Sequence, residues 1–85
     1  MSRKDKLLAK FLRRPKDFSY NELIILLSYF GYREITKGKT GGSRRAFVHR
    51  ETNHIFRLHK PHPKNVLQRY QIDEIIEGLT KNGLI

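Results

Sequence analysis

The chain has 85 residues, enough for one domain around one small core. Eighteen Lys and Arg against eight Asp and Glu give a net charge of +10, which points to a polyanionic partner: nucleic acid first, then a membrane surface or an acidic protein. The absence of Cys excludes disulfides and thiolate metal sites, and no apolar run approaches the ~20 residues of a membrane span.

Residues 3–14 read as a helix, with Leu7, Leu8, Phe11 and Leu12 on one face and Lys4, Lys6, Lys10 and Arg13 on the other. Pro15 ends it. Ser19 and Glu22 form an S-x-x-E capping box at the start of a second helix, with Phe18 and Leu23 placed as its hydrophobic staple. Leu23, Ile24, Leu26, Leu27 and Phe30 make that helix apolar almost all round, and Gly31 sits where a left-handed C-cap belongs.

Three short strands follow. Tyr32–Lys37 is the first, and Gly38–Gly42 is a flexible Gly/Lys/Thr loop. Ser43–His49 is the second strand, Arg50–Asn53 is turn material, and His54–His59 is the third, with Phe56 and Leu58 sharing one face. Brief connections predict an antiparallel meander. Pro61-His62-Pro63 forces an extended or turning segment. Asn65 and Gln68 offer another cap pair, opening a last helix from about Val66 to Lys81. Its expected buried stripe is Val66, Leu67, Tyr70, Ile75, Ile76 and Leu79. Gly78 inside it costs up to ~1 kcal/mol relative to Ala and would suit a close approach of a neighbouring backbone. The expected fold class is α+β, in the order α-α-β-β-β-α, with helices on one face of a three-stranded antiparallel sheet. The expected organisation is one domain over 1–85.

The cations are clustered. Residues 37–60 hold Lys37, Lys39, Arg44, Arg45, Arg50, Arg57 and Lys60 against Glu51 alone, and residues 1–16 hold seven cations against Asp5. Residues 65–85 have two cations and three anions. A charge run is ordinarily a solvated face. Two separate clusters, one of them on a sheet beside a Gly-rich loop, favour phosphate contact. Candidate nucleic-acid-binding residues are Lys37, Lys39, Ser43, Arg44, Arg45, Arg57 and Lys60.

All four His lie in or just after the second and third strands. Their spacing, His54-x4-His59-x2-His62, superficially resembles a ligand set, but it sits among cations with only Glu51 near, so no metal is expected. Tyr20, Tyr29, Phe30, Tyr32 and Tyr70 are potential base-stacking residues, with Phe30 and Tyr70 falling on apolar faces that suit the core.

Gly42-Ser43-Arg44-Arg45-Ala46-Phe47, then His59-Lys60-Pro61-His62, then Lys81-Asn82-Gly83-Leu84-Ile85 resemble, in this order, the HicA family of toxins. The resemblance covers roughly residues 19–85, leaving the helix at 3–14 as an added N-terminal element. It implies a fold like the double-stranded-RNA-binding domain. It implies the toxin of a type II toxin–antitoxin pair, an endoribonuclease that cuts messenger RNA and is held by a HicB-type antitoxin. That partner is expected to be acidic, to complement this charge. The family carries a catalytic His directly after Gly-Ser. Here the position is Arg44, whose guanidinium stays protonated and cannot serve as a base. His62 matches the family's second His, and His59 is a further candidate three residues upstream.

Metal-independent RNA cleavage needs a base for the 2′-OH proton and cations for the developing phosphate charge, with no cofactor. His59 and His62 are the catalytic candidates; the plain alternative is that they are solvated surface residues. A non-catalytic RNA-binding module and a domain serving mainly an acidic protein partner are the competing functions. The N-terminus is basic but leads into no apolar signal segment, so a cytoplasmic location without membrane binding is expected.

Overall fold

The computed structural model describes residues 2–35, 44–61 and 64–85. Helices α1 (Arg3–Leu12) and α2 (Tyr20–Tyr29) precede strands β1 (Tyr32–Ile35), β2 (Arg44–His49) and β3 (Ile55–His59), and helix α3 (Arg69–Lys81) closes the chain. The strands pair in the order β1-β2-β3, antiparallel throughout, so the expected α+β meander is the observed one. The loop at 38–42, Thr36, Lys37, Ser43, His62 and Pro63 fall outside the described residues.

Local signals set the first two helices. Ser2 Oγ accepts from Asp5 N at 3.2 Å and caps α1. The helix ends at Leu12, two residues short of the expected boundary, because Arg14 takes a left-handed φ of 53° just before Pro15. Arg14 Nε then reaches Asp73 of α3 at 2.5 Å. The capping box of α2 is complete: Glu22 N donates to Ser19 Oγ at 3.1 Å, and Ser19 N donates to Glu22 Oε1 at 3.0 Å. Gly31, at φ +91°, turns the chain directly into β1.

The start of α3 differs from expectation. It begins at Arg69, three residues later, because the preceding segment bonds across the fold rather than into the helix. Tyr20 N donates to Asn65 O at 3.0 Å and Leu67 N to Phe18 O at 2.8 Å, around a Ser19–Val66 bridge. The buried stripe is accordingly Gln71, Ile72, Ile75 and Leu79. Tyr70 points the other way and is 54% exposed, so it is a surface residue and not part of the core.

One core joins all layers. Phe11, Phe18, Leu23, Leu26, Leu27, Phe47 and Leu79 have no exposed surface, and the Phe11 and Phe18 rings lie 4.8 Å apart. Gly78 is a point of close approach, but to a side chain: a Cβ there would lie 2.3 Å from Phe56 Cε1, so the ring occupies the space that glycine leaves. Among the described residues no helix is long and apolar enough to cross a membrane.

Candidate nucleic-acid interface

The pleat divides the strand residues between two faces. Phe47 is fully buried, and His49, Tyr32, Glu34, Arg45, Phe56 and Leu58 share its side by alternation and register. The helices pack on this side: Tyr20 meets Glu34 and Phe47, and the α3 backbone at Gly78 lies against the Phe56 ring. The other side is open. It presents Arg33, Val48 and Ile55 in one row, Ile35, Ala46 and Arg57 in the next, and Arg44 with His59 in the last.

Arg44 and His59 are direct cross-strand partners. Such pairs place their Cβ atoms about 4.5–5.5 Å apart, and Arg57, two residues from His59, lies within diagonal reach of Arg44. Both Arg44 and His59 are exposed. The one carboxylate on the three strands, Glu34, faces the helices, so the open face carries three guanidinium groups and an imidazole without an acid from its own strands. Half-buried Ile35, Ala46, Val48 and Ile55 form an aliphatic strip between the cations. Among the described strand residues no Phe, Tyr or Trp lies on this face, which equips it better to grip phosphates than to stack bases.

The end of β3 is held from below. Gln71, 4% exposed, donates from Nε2 to the His59 carbonyl oxygen at 2.8 Å, while its Oε1 accepts from Gln68 N at 3.0 Å. One buried amide thus clamps the first turn of α3 to the backbone that carries His59.

Arg45 and Lys60 fall on the helix side. Arg45 Nε stands 3.8 Å from Glu34, which also accepts a hydrogen bond from the Tyr20 hydroxyl, and Lys60 Nζ lies 5.6 Å from the Tyr20 ring centroid. Burial, reinforced by the bond to Glu34, raises the Tyr20 pKa and keeps the phenol protonated. Arg45, Glu34, Tyr20 and Lys60 therefore form a corner cluster distinct from the Arg44–His59 row. Lys37, Lys39, Ser43 and His62 lie outside the described residues.

Two further His are built into the scaffold. His49 is buried, and its Nδ1 accepts from the backbone N–H groups of Glu51 at 3.1 Å and Thr52 at 3.2 Å, which places the ring proton on Nε2. Its ring covers Gly31, where a Cβ would come within 2.9 Å of Nε2. His54 shares a hydrogen bond of 2.7 Å with the Tyr32 hydroxyl and packs edge-on against Phe56. Since His54 faces the helices and His59 the open side, the spacing that superficially suggests a ligand set places these two on opposite faces.

Arg33 was not among the residues the sequence singles out. Its place in the open row depends on the register with Val48, which no local signal announces. Of the aromatic candidates, Tyr20, Phe30 and Tyr32 are buried, whereas Tyr29 is 40% exposed and lies on α2, away from the sheet.

No family model, curated protein or solved structure gives a significant match to this chain. The fold and the site define a small α+β protein with a three-stranded antiparallel sheet that is cationic on its open face.

Proposed function

We propose that this protein binds RNA through the open face of its sheet and cleaves it without a metal, in the manner of a HicA-type toxin of a type II toxin–antitoxin pair. The observation that carries the reading is the Arg44–His59 pair: a guanidinium and an imidazole side by side on a face to which the described strands bring no carboxylate. The element order, with a β-β-β-α run behind a capped helix, agrees with the double-stranded-RNA-binding-domain likeness that the motifs imply.

In this reading neutral His59 takes the proton of a 2′-OH, the oxygen attacks the adjacent phosphorus in line, and the 5′-oxygen leaves with a proton from solvent. Arg44 and Arg57 hold the phosphate and stabilise its added charge. His62 is the alternative base, Lys37, Lys39 and Ser43 are further RNA contacts, and Arg45 and Lys60, on the helix side of the sheet, join them only where RNA wraps the sheet edge. An acidic HicB-type antitoxin is the expected partner, located in the cytoplasm and covering the cationic site when the toxin is silent.

The test is incubation with end-labelled RNA in the presence of EDTA. Fragments ending in 2′,3′-cyclic phosphate support the reading. RNA that is bound but never cut supports the second one, a non-catalytic RNA-binding module, which Arg44 favours by standing where the family has its His. RNA that is not bound overturns both.

A further inference from the structure

On the helical side of the molecule, α1 and α2 leave an open groove of about 370 Å³ between them. Leu7, Ile25 and Tyr29 line it, and Arg3, Lys6 and Lys10 run along one stripe of α1 beside them. Ile25 and Tyr29, one turn apart on α2, are 49% and 40% exposed although the rest of that helix is largely core. Lys10 is engaged by Glu22 at 2.8 Å, but among the described residues the side chains of Arg3 and Lys6 have no partner. The groove is thus apolar within and positively charged along one edge.

We infer that this groove docks an acidic amphipathic segment of a partner protein, apolar side chains entering between α1 and α2 and carboxylates meeting Arg3 and Lys6. Charge selects the occupant. A second copy of a chain with net charge +10 would bring cation against cation. RNA would find one aromatic ring, Tyr29, beside two aliphatic side chains that neither stack nor hydrogen-bond with bases. A membrane-surface helix projects its apolar face outward, whereas here the apolar residues lie between two helices. An incoming helix with apolar residues one turn apart matches the one-turn spacing of Ile25 and Tyr29, and its acidic flank matches the α1 stripe.

The placement has a consequence. The groove belongs to the helical layer, and the Arg44–His59 row lies on the far side of the sheet from it. A segment held in the groove leaves that row uncovered, so docking and occupation of the open face are compatible. The inference does not depend on what the open face does.

The experiment uses the full chain and a fluorescein-labelled synthetic peptide of about four helical turns, with Leu at i, i+3, i+4 and i+7 and Glu elsewhere. A scrambled peptide of the same composition keeps the charge and loses the apolar stripe. Fluorescence anisotropy at physiological ionic strength should show saturable binding of the patterned peptide, at least about tenfold tighter than the scrambled one. Ile25→Asp and Lys6→Glu should each weaken it by about tenfold or more, with unchanged circular dichroism because both positions are exposed. Tyr29→Ala, tested in parallel, checks the floor without adding charge. Equal binding of the two peptides would overturn the proposal in favour of simple charge attraction. So would loss of the peptide to competing RNA, or an Ile25→Asp variant that binds the peptide normally but no longer binds vesicles rich in phosphatidylserine.

Discussion

The helix-covered and open faces of the sheet are made by the same three strands, yet their polar groups live under opposite rules. On the covered face each has a partner: Glu34 meets Tyr20 and Arg45, His49 accepts two turn N–H groups, and Tyr32 bonds His54. That is the condition for burying polar groups without a penalty. On the open face, among the described residues, the guanidinium groups of Arg33, Arg44 and Arg57 have none. Like charges gathered on one face repel and do nothing for folding. What stabilises the domain and what equips it for a polyanion are therefore separated by the thickness of one sheet, and substitutions on the two sides should move different measurements.

The largest effect is expected at His59. If it is the base, His59→Ala should slow RNA cleavage about 10²–10⁴-fold. RNA affinity should hardly change, since the guanidinium groups beside it supply the attraction for phosphate. His54→Ala should do the reverse, lowering the melting temperature by removing the bond to Tyr32 and the contact with Phe56. Equal cleavage by wild-type and His59→Ala protein would move the base to His62 or leave a binding module.

Gly78→Ala comes next and probes the covered face alone. Placing Ala for Gly in a helix ordinarily gains up to ~1 kcal/mol. Here the new methyl group meets Phe56 at 2.3 Å, and overpacking of this kind costs about 1–3 kcal/mol. Urea denaturation should show a net loss of stability, and Phe56→Leu in the same chain should recover part of it. RNA binding by the folded variant should match wild type.

How much of this division is legible in the sequence depends on how local each determinant is. The cap of α2 is legible because Ser19 and Glu22 satisfy each other within one turn. The start of α3 is not, because Asn65 and Leu67 bond to Tyr20 and Phe18, far away in sequence. Tyr70 misleads for the same reason: once the helix begins at Arg69, the buried stripe runs through Gln71 and Ile72. At the site, alternation separates Arg44 from Arg45. Which of the two faces open space depends on Phe47 being the buried member of the strand, and on the register that brings His59 opposite Arg44. The roles of His49 and His54 depend wholly on tertiary partners, Gly31 and Tyr32 among them.

Arg44→Ala and Arg57→Ala should each weaken RNA binding modestly. Each should also reduce the slope of log K against log salt by about 0.7, the loss of one phosphate contact on a single strand. Stability should stay level or rise slightly as repulsion on the open face is relieved. Arg45→Ala, on the other side of the sheet, should leave the slope as it is and disturb the Glu34 corner instead. A slope change with Arg45→Ala as large as with Arg44→Ala would mean that RNA wraps the sheet edge. That outcome would replace the flat-face picture with one that includes Lys60 and Tyr20.

The smallest effect concerns the ion pair joining α1 to α2. Burial pushes the Glu22 carboxyl up, but the hydrogen bonds from Lys10 and from the Ser19 backbone, with the attraction of the Lys10 charge, outweigh it. The carboxyl ends below its ordinary value of 4.5. A carboxyl whose folded pKa is depressed contributes stability that is fully present above its unfolded pKa and is lost as pH falls through the lowered folded value. Glu22→Gln keeps an acceptor for the Ser19 N–H, so the capping box survives, but it removes the charge that Lys10 meets. The two proteins should therefore differ slightly in urea midpoint at neutral pH and converge as the carboxyl protonates in acid. Added salt should narrow the neutral-pH gap, because both side chains are partly exposed. A gap that stays constant from neutral to acid would show that Glu22 acts through its hydrogen bond to the cap alone, and that the charge on Lys10 contributes nothing to holding α1 against α2.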